Sequence, residues 1–152
     1  MFVWGTLVPP LTRAAGGYSG AVYEHSVLGL REFEAARITM ARINDCALCL
    51  DFRTARDVAS RAAAGDQVTE GFYQLVLDDP VSPELTERER LAAEFARRYS
   101  TDHLGMDDDL WDRLHATYSD EELVDLALCV ASWLALGRFN RVFDIDGACR
   151  IH

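Results

Sequence analysis

The stretch LREFEAARITMARINDCALCLDFR, Leu30 to Arg53, decides how the rest of the chain is read. Phe33, Ala36, Met40 and Ile43 recur at spacings of three and four, which puts apolar side chains on one face of an α-helix. Asn44 and Asp45 offer capping chemistry for a second helix that begins around the cysteines. Leu48, Phe52, Ala55, Ala59 and Ala62 form its apolar stripe, and Gly65 is its stop. Cys46 and Cys49 therefore stand at a helix start, where free N–H groups and a partial positive charge favour thiolate over thiol. Their three-residue offset brings both sulfurs to one face. Arg53, four residues after Cys49, falls one turn along that face and carries a fixed positive charge suited to stabilising a thiolate. It is no proton shuttle, because a guanidinium does not deprotonate near neutral pH.

Glu34 shares a face with Ile38 and Ala41. An acid on a mostly apolar stripe calls for a partner. If the two helices form a hairpin, that partner is either the cysteine pair or Arg53. The first makes Glu34 an acid or base for thiol chemistry; the second makes it structural.

Outward from this segment the helical period continues. Residues 1–20, with Pro9, Pro10, Gly16, Gly17 and Gly20, read as an extended arm. A short helix is expected over 68–77, and Asp78-Asp79-Pro80 with Ser82-Pro83 form a connection. Thr86 with Glu89, and Ser119 with Glu122, are capping boxes that open two further helices. Leu91, Ala92, Phe95, Ala96 and Tyr99 form the buried side of the first. The second runs to about Gly137 and is apolar almost all round after Leu126, which assigns it to the core or to a subunit interface. Residues 107–117 suggest another helix, with Asp107, Asp108 and Asp109 at its N-terminus rather than on a metal. No segment alternates with period two, so the expected fold is one all-α domain.

Composition narrows the function. The chain has 152 residues, is 49% hydrophobic and carries a formal charge of −10. That balance disfavours nucleic acid and anionic membrane surfaces as partners. All fifteen cationic side chains are arginine, which excludes a lysine Schiff base and a lysine-dependent phosphate loop. The apolar start, Met1 to Trp4, is brief, has no basic residue and is soon interrupted by Pro9 and Pro10. The run Leu126–Leu136 is too short to span a bilayer. A cytoplasmic protein is the expectation, and in that compartment a close cysteine pair reads as metal-binding or redox-active. A zinc site needs two more ligands, and no second CxxC or HxxxH accompanies the first, so no metal or other cofactor is expected. Cys129 reads as a small core hydrophobe, and Cys149, in a Gly-containing tail, is assigned no role. His25, His103 and His115 read as surface or capping residues.

Glu34, eleven intervening residues and then Cys46-x-x-Cys49 resembles the AhpD-like branch of the carboxymuconolactone decarboxylase family. The flanks LREFE and ARINDC, the stretches LTERER at 85–90 and YSDEEL at 118–123, and RFN at 138–140 are similar too. The resemblance implies a 20–145 domain between an arm over 1–19 and a tail over 146–152. It implies a compact helical fold that assembles into homo-oligomers. It further implies a thiol-dependent peroxidase or disulfide reductase acting on hydroperoxides or disulfides and re-reduced by a thiol protein. On this reading Cys49 attacks the peroxide, Cys46 resolves the sulfenic acid and Glu34 heads a proton relay. The family's peroxidase pattern has histidine where this chain has Arg53. Two alternatives follow: a decarboxylase or lactone-acting enzyme on a small carboxylated metabolite, and a non-catalytic oligomeric binding protein with a decayed site.

Overall fold

The computed structural model describes residues 6–57 and 67–145. In chain order the helices are α1 (Pro9–His25), α2 (Leu30–Ile43), α3 (Ala47–Asp51), α4 (Thr54–Asp57), α5 (Glu70–Asp78), α6 (Glu87–Thr101), α7 (Asp108–Thr117) and α8 (Asp120–Val142), with a 3₁₀ turn at His103–Gly105. No strand occurs among the described residues, so the fold is all-α.

The core is built around α2. Phe33, Ala35, Ala36, Ile38 and Met40 are fully buried, so α2 hides far more than one stripe. It packs most extensively on α6, then on α8 and α5. Alanines at 35, 36 and 41 let these neighbours approach closely, and the interlocked apolar side chains supply the main driving force of folding. Arg88 ties four elements together. Its guanidinium pairs with Glu32 and Glu122, donates to the Thr117 carbonyl at 2.7 Å, and stacks over Tyr118.

Both capping boxes form. Thr86 and Glu89 exchange hydrogen bonds at the start of α6, as do Ser119 and Glu122 at the start of α8. Asp107 caps α7, accepting from the Leu110 N–H. Leu91, Ala92, Phe95 and Ala96 are buried as the spacing predicts. Helix α8 buries Leu126, Cys129, Val130 and Trp133, yet leaves Val124, Leu128, Phe139 and Val142 exposed on its other side.

Three expectations are corrected. Residues 9–19 are helical, not an extended arm: Pro9 and Pro10 occupy the first turn of α1, where the missing N–H costs nothing and the fixed φ suits the helix. The cysteine helix does not run on through Ala55, because it ends at Asp51 and Phe52 is extended (φ −72°, ψ 128°). Ala59, Ala62, Gly65 and Cys149 lie outside the described residues. Lastly, neither Asn44 nor Asp45 caps the cysteine helix; Cys46 does.

Candidate redox site

The site begins with how α2 stops. The Cys46 N–H donates to the Ala41 carbonyl and the Asp45 N–H to the Arg42 carbonyl, the paired bonds of a Schellman motif. That motif needs a left-handed residue, and Asp45 supplies it at φ 50°. A non-glycine residue there costs about 1 kcal/mol; the Asp45 carboxylate pairs with Arg141 at 2.9 Å. The chain is thereby turned so that Cys46 becomes the N-cap of α3, its Sγ accepting from the Cys49 N–H at 3.2 Å.

Asn44 fixes this turn against α8. Its Nδ2 donates to the Trp133 carbonyl at 2.9 Å, and the carbonyl partner settles the orientation of the amide. The approach is close because residue 137 is glycine: a Cβ there would lie 2.3 Å from Asn44 Nδ2.

Cys46 and Cys49 are joined by a disulfide. The two sulfurs are not equivalent. Cys46 is fully buried, whereas Cys49 is half-buried and lines a cavity of about 170 Å³. Tyr23, Leu48, Phe52, Trp133 and Leu136 supply its apolar walls, and Arg37, Asn44 and Asn140 its polar ones. Tyr23 stacks edge-on against both Phe33 and Phe52, and Phe33 against Trp133, which fixes the ring positions. Burial pushes the Tyr23 phenol up to about 12, against the pull of the Arg37 guanidinium, so it stays protonated at neutral pH.

Behind the disulfide lies a buried ion pair. Glu34 Oε2 accepts from Arg37 Nε at 2.6 Å, with both side chains almost wholly inaccessible. Arg37 Nη1 donates to the Cys49 carbonyl at 2.7 Å, so the charged pair is bolted to the backbone of the CxxC turn. Tyr73 covers the pair; burial and the Glu34 carboxylate both raise its pKa.

Glu34 therefore does sit beside the cysteine segment, but it reaches that segment through Arg37 and does not pair with Arg53. The break after Asp51 swings Arg53 off the Cys49 face. Its guanidinium caps the orphaned carbonyls of Leu50 and Phe52, pairs with Glu70 at 2.8 Å and stacks over Tyr73. Glu70, held by Arg53 and Arg56 together, is lowered to about 2. Sequence reasoning missed Arg37, Asn44 and Trp133. The Glu34–Arg37 spacing of three was a usable signal for a helical ion pair. Nothing local pointed to Trp133, whose place depends on α8 crossing α2.

Among the described residues no cluster of three or more His, Cys, Asp or Glu could hold a metal, and no helix is long and apolar enough to cross a membrane.

No protein-family model matches the chain. It is 33% identical over 124 residues to the uncharacterized protein YnjA of Escherichia coli (strain K12), an alignment covering 80% of this chain and 64% of YnjA. The chain thus spans a little under two thirds of that relative's length. Its fold matches the solved structure of ATU0492 from Agrobacterium tumefaciens with a TM-score of 0.73 at 23% identity, over 94% of each chain. ATU0492 is a protein of unknown function assigned provisionally to antioxidant defence as AhpD. The fold of this chain is accordingly AhpD-like, as the residue pattern around Glu34 and the CxxC implies.

Proposed function

We propose that this protein is a thiol-dependent oxidoreductase of the alkylhydroperoxidase type. The observation that carries the reading is the asymmetry of the bonded pair: Cys49 lines a cavity while Cys46 is sealed behind it. In the reduced protein the Cys49 thiolate attacks the outer oxygen of a hydroperoxide, ROOH. An S–O bond forms and the O–O bond breaks, and the alkoxide takes up a proton to leave as ROH. The Cys46 thiol then attacks the sulfenic sulfur; the S–S bond forms and water leaves. Two electrons from an external dithiol protein restore the pair. The Glu34–Arg37 pair holds the Cys49 backbone in place for both steps.

Self-association is part of the proposal. Val124, Leu128, Phe139 and Val142 lie within one face of α8 and are 43–77% exposed, an apolar stripe suited to a second copy.

A redox titration tests the central claim. The protein is equilibrated in thiol–disulfide buffers, alkylated, and mapped by mass spectrometry. Cys46 and Cys49 should interconvert as a pair, and an alkyl hydroperoxide should oxidise the reduced protein but not its Cys49→Ser variant. Independent alkylation of the two cysteines, or oxidation unaffected by Cys49→Ser, would sink the proposal.

A further inference from the structure

On the far side of α2 from the disulfide lies a second cavity, of about 520 Å³. Thr39, Arg42 and Ile43 line it, whereas Arg37, Ala41 and Asn44 of the same helix line the cavity beside Cys49. At 3.6 residues per turn these two sets fall on opposite sides of α2, so the thickness of a helix, about 10 Å, separates the second cavity from the first. Its volume is that of a small-molecule site. Part of its wall is apolar, made by Ile43, Val76, Leu77, Pro80, Val81 and Ala93.

Charge sets this cavity apart. Four arginines line it, Arg42, Arg90, Arg97 and Arg113, against two glutamates, Glu87 and Glu94. Both glutamates are already taken: Glu87 pairs with Arg90 at 2.8 Å and Glu94 with Arg113 at 2.9 Å. The side chains of Arg42 and Arg97 are exposed and make no hydrogen bond or ion pair among the described residues. That is unusual in this chain, which has 25 acids to 15 arginines. Ten of the thirteen described arginines hold a carboxylate or a carbonyl. Of the three that do not, Arg13, Arg42 and Arg97, two line this one cavity. Positive charge in a concave setting with low-dielectric walls focuses its field on an anion. Each guanidinium presents a fork of donors that matches carboxylate or phosphate oxygens. The surplus is two charges, so a doubly charged head balances it. The apolar wall calls for an apolar body behind that head.

We infer that this cavity binds an organic dianion, an apolar body carrying a phosphate monoester or two adjacent carboxylates, with Arg42 and Arg97 as the residues that hold the head. Such a ligand sits across α2 from the cysteines, and its binding does not depend on the proposed peroxidase chemistry.

The experiment uses four probes with one naphthalene body: 2-naphthol, naphthalene-2-sulfonate, 2-naphthyl phosphate and naphthalene-2,3-dicarboxylate. Each is titrated calorimetrically into the full-length protein at about pH 7.5, where a phosphate monoester carries nearly two charges. Affinity should rise from the naphthol through the sulfonate to at least one dianion, about fivefold for each added charge, which is about 1 kcal/mol per step. The tighter of the two dianions identifies the head. Its advantage should shrink as salt is raised. Arg42→Gln combined with Arg97→Gln breaks no side-chain pair among the described residues, and it should bring the dianion down to the affinity of naphthol while leaving naphthol unchanged. Arg13→Gln, which removes the third unpartnered arginine from α1 outside the cavity, should change neither. Dianions that bind no more tightly than naphthol, a double variant that keeps their advantage, an equal loss in Arg13→Gln, or no binding by any probe would each overturn the site. Cys49→Ser should bind the dianion as the parent does; a loss there would overturn the separation of this cavity from the cysteine pair.

Discussion

Replacing Gly137 with alanine should destabilise the protein, although the same change at Gly17 should stabilise it. Both glycines lie inside helices, where alanine is favoured over glycine by about 1 kcal/mol. At Gly17 nothing lies within 4 Å of the added Cβ, so that gain is kept. At Gly137 the Cβ would meet Asn44 Nδ2 at 2.3 Å, Cγ at 3.1 Å and Cβ at 3.4 Å. Rotating the Asn44 amide relieves only the first contact. Moving the whole side chain breaks its bond to the Trp133 carbonyl and leaves the buried Asn44 amide without its partner. Overpacking and the lost hydrogen bond together cost about 3 kcal/mol. Against the propensity gain of about 1, the net is a loss of about 2 kcal/mol. For a domain of this length that is a fall in Tm of roughly 4–8 °C. Thermal unfolding followed by circular dichroism reads it directly. A Gly137→Ala protein as stable as the parent, or more so, would refute the argument that glycine is there to let the CxxC turn touch α8.

Other consequences can be checked separately. Glu34→Ala should destabilise by about 3–5 kcal/mol because it strands the buried Arg37 charge, whereas Glu34→Leu combined with Arg37→Met should recover most of that loss in denaturant unfolding. The Tyr23 phenol, raised to about 12 mainly by burial, contributes stability that is fully present below the unfolded value near 10 and lost as pH rises through 12; Tm should fall over that window, and less so in Tyr23→Phe. Arg53→Gln, which removes a partly exposed pair with Glu70, should change Tm by no more than about 1–2 °C, and the same protein should keep its Cys46–Cys49 midpoint in the redox titration. A Val124→Glu, Leu128→Glu double change should leave the fold intact but reduce any self-association seen by sedimentation.

Much of the fold was legible because its determinants are local. The two capping boxes and the apolar spacing of α2 and α6 each lie within one or two turns, and each forms as read. The N-terminal arm was misread because Pro-Pro has two meanings, a break in the chain or the opening of a helix, and only the residues that follow decide. Glycines at 16, 17 and 20 favoured the wrong one.

The site was legible in its pair and not in its surroundings. Cys46, Cys49 and Glu34 could be named from spacing, but the arginine assigned to them was Arg53, on the assumption that α3 continues for a further turn. It does not continue: that same arginine caps the Leu50 and Phe52 carbonyls, and the next ring, Phe52, packs edge-on against Tyr23. The guanidinium bonded to the cysteine turn is that of Arg37 instead, one turn after Glu34 on the preceding helix and paired with it. A guanidinium in either place carries a charge but relays no proton, and that constrains the chemistry. If the protein turns over hydroperoxide, the proton taken up by the leaving alkoxide comes from water or from the Tyr23 phenol, since the described residues lining the Cys49 cavity include that protonated group and no histidine. The rate should then show no inflection between pH 6 and 7 attributable to an imidazole, and only the Cys49 thiol should govern its pH profile. A histidine-like inflection in kcat/KM that survives in the reduced, fully active protein would mean that a group beyond these lining residues enters the site, and the argument that no imidazole takes part would fail.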